Sequence, residues 1–161
     1  MTQDATPQPE IPLPTREEID AAADDVRAAS DELGITIDAI EGHLERRQIE
    51  VPAWVKVKGW EDPDGEYWKR ELGYDRVRNS WHIAIREVHG HTEWPENTTT
   101  YVWSFNSAPR KSRISASDKL PELLRELIKE AERTARRLRE KTVEVNAFAA
   151  TLKITARKQK K

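Results

Sequence analysis

All six tryptophans of this 161-residue chain fall between Trp54 and Trp103, and all three tyrosines lie in the same stretch. Of eleven aromatic residues, only Phe148 stands outside a segment that closes at Phe105. Aromatic side chains bury more surface each than any other type, so the segment from Trp54 to Phe105 is where a core is expected. The chain on either side reads as helix rich in charge and alanine. The composition is 37% apolar and 35% charged. That balance suits long helices with one buried stripe better than a sphere with a thick interior.

Thr15 is a good helix N-cap, and Glu18 follows at the spacing of a capping box. Apolar residues then recur at steps of three or four: Ile19, Ala22, Val26, Ala29, Leu33, Ile37, Ile40 and Leu44. This pattern predicts a helix over 16–47. Gly34 and the β-branched Ile35-Thr36-Ile37 weaken the propensity without shifting the phase, and Thr36 is a candidate cap for a second segment.

Alternation predicts four strands within 51–105. In the first, Val51, Ala53, Val55 and Val57 share one face, while Trp54, Lys56 and Lys58 share the other. Asp62-Pro63-Asp64-Gly65 is a turn signal. A second strand covers 67–77, with Gly73 a candidate bulge. The third runs from Trp81 to Val88, and a polar loop from His89 to Asn97 follows. The fourth, Thr98 to Phe105, sets Tyr101, Trp103 and Phe105 on one side as core. Short connections favour pairing of neighbours in an antiparallel meander.

A second apolar row, Leu120, Leu124, Leu127, Ala131, Ala135, Leu138, Thr142, Val145, Ala149 and Leu152, predicts a helix over 117–153, with Pro121 tolerated in its first turn. From 118 to 153 it would span about 54 Å at ~1.5 Å per residue. A compact chain of this length has a radius of gyration of only about 15 Å. Such a helix overhangs the body, so it must pair with the first helix, pair with another copy of itself, or break. The expected fold is α+β: one domain over 15–156, a four-stranded antiparallel meander with a long helix at each end, both on one sheet face. Residues 1–14, with four prolines, read as a disordered tail, and 157–161 as a basic one.

Charge is divided along the chain. Residues 1–50 carry four arginines against thirteen carboxylates, and residues 110–161 carry sixteen cations against seven. Either the acidic helix lies antiparallel along the basic one, or the basic arm meets an acidic partner. There is no cysteine, which excludes disulfides and thiolate chemistry. No apolar run approaches a membrane span and no secretory signal opens the sequence, so a cytoplasmic protein without membrane contact is expected.

Three function classes follow. Trp54, which faces with lysines, and Trp60, Trp68 and Trp94, which lie in or near loops, are candidate interaction anchors. With the overhanging helices they point to a non-enzymatic interaction or assembly module, a homodimer or a subunit of something larger. The alternative partner is nucleic acid, met by Arg110, Lys111 and Arg113 and by Arg136, Arg137 and Arg139. Third is a small metal-dependent enzyme, with His89, His91 and Glu93 as ligands if their segment is extended. No phosphate loop, dinucleotide fingerprint or nucleophile elbow is present, and no cofactor is expected.

Overall fold

Thr15 caps the first helix as its spacing predicts. Its hydroxyl accepts from the Glu18 amide at 3.2 Å, and the Glu18 carboxylate accepts from the Thr15 amide at 2.7 Å. The computed structural model describes residues 12–154; residues 1–11 of the proline-rich tail and the basic tail at 157–161 lie outside the described residues. Helix α1 spans Arg16–Arg46 and passes through Gly34 without a break. Gly34 is buried because Asn106 lies across it: its carbonyl accepts from Asn106 Nδ2 at 3.2 Å, and the same amide donates to Asp38 at 2.7 Å. A methyl group at 34 would stand 3.1 Å from Asn106 Oδ1. The glycine serves a close approach, and Thr36 stays inside the helix.

Strands β1 (Ala53–Glu61), β2 (Glu66–Val77), β3 (Ser80–His91) and β4 (Thr99–Ser104) form one antiparallel sheet in chain order. The β1–β2 turn closes through Asp62, whose carboxylate accepts from the Glu66 amide at 2.8 Å, while Gly65 takes φ +90°. The β2–β3 hairpin has a two-residue loop, Arg78-Asn79, both in the left-handed region that such tight turns require.

Three local expectations change. β3 continues to His91, so His89 and His91 are strand residues and not part of a loop. Gly73 keeps the ladder regular, paired with Trp54 and Ala84. The bulge lies in β1, where Lys56 pairs with Glu71 and Lys58 with the adjacent Arg70, leaving Val57 extra. An extra residue shifts the side-chain phase by one. Lys58 and Trp60 therefore point to the same face as Val55 and opposite to Lys56.

That face carries the core. Val55, Leu72, Ile85 and Trp103 form one cross-strand row, and Ala53, Tyr74 and Ile83 the next. Ile37 and Leu44 of α1 close over these rows, together with Phe105 in a 3-10 turn. Two further helices follow where one was expected: α2, Arg110–Ser117, and α3, Leu120–Thr151, with Pro121 in its first turn. Leu123 and Leu127 of α3 complete the core.

The long helices cover one sheet face, but they do not pair along their length. α3 lies on β1 and β2; α1 lies against β3 and the turn after β4. Among the described residues no ion pair joins α1 to α3; their charged residues pair within each helix, as Arg27 with Asp24 and Lys129 with Glu126. The expected acidic-against-basic contact is absent because the sheet is wide enough to seat each helix on its own strands. Both helices overhang: α1 is exposed from Arg16 to Ala29 and α3 from Arg136 to Phe148.

Candidate interaction surfaces

The bulge at Val57 builds a cleft on the core face, beside α2. Trp60, Trp68 and His89 stand in one cross-strand row over β1, β2 and β3. Lys58, Arg70, Glu87 and Tyr101 form the row beside it. Neighbouring strands lie about 4.8 Å apart, so the rings are close neighbours. Lys111, near the start of α2, closes the side of a hollow of about 610 Å³. A second hollow of about 430 Å³ continues past His91 and Trp94 and shares Trp60 and His89 with the first.

The floor is a buried ion pair. Arg70 is 7% exposed and meets Glu87 at 2.7 Å; it also donates to Ser115 at 2.8 Å. Ser112 donates to the same Glu87 oxygen at 3.0 Å. Burial pushes the Glu87 carboxyl up, but the hydrogen bonds from Arg70 and Ser112 and the Arg70 charge outweigh it and hold it below the ordinary range. Glu87 is thus ionised and already partnered. Lys58 and Lys111 form no ion pair among the described residues.

The second surface is an apolar groove of about 810 Å³ between α1 and α3. Ile40, Leu44 and Ile49 form one wall; Leu124, Ile128 and Ala131 form the other. Ile128 is 60% exposed there. Further along α3, Leu138, Val145, Phe148 and Leu152 are each more than half exposed.

The four candidate tryptophans have different surroundings. Trp54 lies flat on Gly73 of the opposite sheet face, with the Arg86 guanidinium 4.0 Å above its ring and its indole N–H donating to Asp75 at 3.0 Å. Its ring is committed to its own sheet. Trp68 is half-buried, with Arg70 at 5.1 Å and Lys58 at 5.7 Å from its ring centre. Trp60 and Trp94 remain open, 53% and 51% exposed. Tyr101, read from the sequence as core, is 51% exposed and stacks on Trp103. Strand parity gave it the right face, but the helices end before reaching it.

The two histidines share a face of β3, each against its own aromatic neighbour. His89 faces Tyr101 edge-on, while His91 packs on Trp94 at 4.0 Å and accepts from the Glu93 backbone amide. No three His, Cys, Asp or Glu side chains among the described residues converge into a ligand set. The basic cluster before α3 also divides. Arg113 donates to Ser30 at 2.7 Å and, with Arg110, faces α1; Lys111 alone enters the cleft. Arg136, Arg137 and Arg139 lie on the overhanging part of α3. No described helix is long and apolar enough to cross a membrane. Comparison with family models, with curated proteins and with solved structures finds no match.

Proposed function

We propose that this protein is a non-enzymatic, self-associating module, joined to a second copy through α3. The observation that carries the reading is one continuous seam. Leu124, Ile128, Ala131, Ala135, Leu138, Thr142, Val145, Ala149 and Leu152 follow each other at alternating steps of four and three. A seven-residue apolar repeat is the pattern of a helix seated against another helix. The first four of these residues line the apolar groove, and the rest have no helix against them among the described residues.

A two-fold, antiparallel pairing satisfies both halves at once. It sets the distal seam of each copy into the groove of the other, so every contact is made twice. Alanines in the middle of the seam permit close approach of the two backbones. The seam from Leu138 to Leu152 is about 21 Å long at ~1.5 Å per residue, enough for a helix-in-groove contact.

Light scattering coupled to size exclusion, over a wide concentration range, tests this. The wild type is expected to run as a dimer. Ile128→Glu and Leu138→Glu change exposed residues, so each is expected to run as a folded monomer by circular dichroism. A wild type that stays monomeric throughout, or variants that still dimerise, would overturn the proposal.

A further inference from the structure

The cleft beside the helices has a different chemistry from the groove between them. Aromatic rings from three adjacent strands share a row, in which Trp60 is half exposed, His89 is exposed and Trp68 is partly buried. Two lysines without ion pairs among the described residues, Lys58 and Lys111, border it from β1 and α2. Its carboxylate, Glu87, is neutralised by Arg70 beneath the surface. The first hollow therefore offers π faces and positive charge together, with its own carboxylate already paired, whereas the second hollow adds Trp94 and His91 but is bordered by Glu66.

That pairing selects a ligand with flat rings and anionic links. An acidic peptide would engage the lysines but leave the row of rings unused. A lone nucleotide would be expected to anchor its phosphate in a glycine-rich loop, and the sequence has none. The second hollow, continuing from Trp60 and His89 to Trp94, extends the track beyond the length of one nucleotide. Bases stacked on aromatic side chains, with cations following the phosphates, is how single strands are bound without sequence readout. A duplex hides its base faces and cannot use the rings.

We infer that this cleft binds a short stretch of single-stranded nucleic acid, with a base stacked on the open ring of Trp60 beside the cation-covered Trp68 and phosphates against Lys58 and Lys111. The stretch spans about two or three nucleotides, given strands about 4.8 Å apart. The inference rests on the sheet and not on self-association, and it moves the nucleic-acid contact from the arginines of α3 to the cleft.

The test is fluorescence anisotropy of the full chain with labelled single-stranded RNA, single-stranded DNA of the same sequence, the matching duplex, and a polyglutamate peptide, each at two salt concentrations. One or both single strands are expected to bind at least tenfold more tightly than the duplex and the peptide. The RNA and DNA arms distinguish the two sources of the same chemistry. Trp60→Ala is expected to weaken single-strand binding by about tenfold or more, since stacking contributes about 1–3 kcal/mol per base and 1.4 kcal/mol is tenfold. Lys58→Ala with Lys111→Ala should weaken it and flatten its salt dependence. Replacing Arg136, Arg137 and Arg139 with alanine should leave binding within a few-fold. Absence of single-strand binding, equal binding to duplex or polyglutamate, or loss of binding only in the arginine variant would each overturn the inference. Trp60 and both lysines are exposed, so these variants retain the fold.

Discussion

Trp60 stands directly opposite Trp68 across the β1–β2 ladder, on the helix side of the sheet, because Val57 is left out of the pairing. A regular β1 would send Trp60 and Lys58 to the opposite face, beside Lys56 and Trp54. One unpaired residue thus decides which surface of the protein carries an aromatic and cationic cleft.

Deleting Val57 should therefore preserve the cleft. Lys56 and Lys58 would become sequence neighbours and keep their partners Glu71 and Arg70. Loss of a partly buried valine should lower stability by about 1–2 kcal/mol, while NMR contacts between Trp60 and Trp68 persist. If those contacts vanish, the register described here is wrong.

Trp54 and Gly73 make the second close relationship in the sheet. A Cβ at 73 would lie 2.2 Å from the Trp54 ring. Gly73→Ala should destabilise the protein by about 1–3 kcal/mol, the usual range for overpacking. In a Trp54→Leu background the same change should be much less damaging, measured as a double-mutant cycle in urea. Equal penalties in both backgrounds would show that the ring does not set the requirement for glycine.

Gly34 and Asn106 offer the reverse case. Alanine favours a helix interior over glycine by about 1 kcal/mol. Here the gain is opposed by the Asn106 side chain, 3.1 Å from the added carbon. Gly34→Ala should thus stabilise the Asn106→Ala variant by close to the full ~1 kcal/mol and the wild type by clearly less. Thermal melts of the four proteins would measure the difference.

Two partly buried carboxylates should give opposite pH dependences. Glu87 is held below its ordinary value of 4.5 by Arg70 and Ser112, whose hydrogen bonds outweigh burial. Its contribution to stability is present above pH 4.5 and is lost as pH falls through the lower folded value. Glu41 is raised above 4.5, because burial outweighs its hydrogen bonds with His82 and the Ile83 amide. Its contribution is fully present below pH 4.5 and is lost as pH rises through the folded value. The stability advantage of wild type over Glu87→Gln should then grow from acid toward neutral pH, while its advantage over Glu41→Gln should shrink. Denaturant titrations across that range would check both, and parallel curves would contradict the shifts.

The sequence by itself determined the elements and most of their order. The capping box at Thr15 and Glu18, the three-four periodicity of both helices, the Asp62–Gly65 turn and the alternation in β3 are local features, each set by neighbours within a few residues. Their physics is complete before the chain folds. The same local reading left α1 and α3 paired through opposite charge, took Tyr101 for core, put Lys58 on the wrong face and left Trp60 in a loop, where β1 in fact continues to Glu61. These points depend on how far each helix reaches across the sheet and on a single shift in strand register. A bulge has no sequence signal of its own at Val57, since valine suits a regular strand equally well; only the partner strand, with Glu71 and Arg70 adjacent, shows that one residue has no counterpart. Tertiary packing decided the candidate cleft for that reason: it is made of side chains whose direction is fixed by pairing with distant strands, not by their own neighbours in sequence.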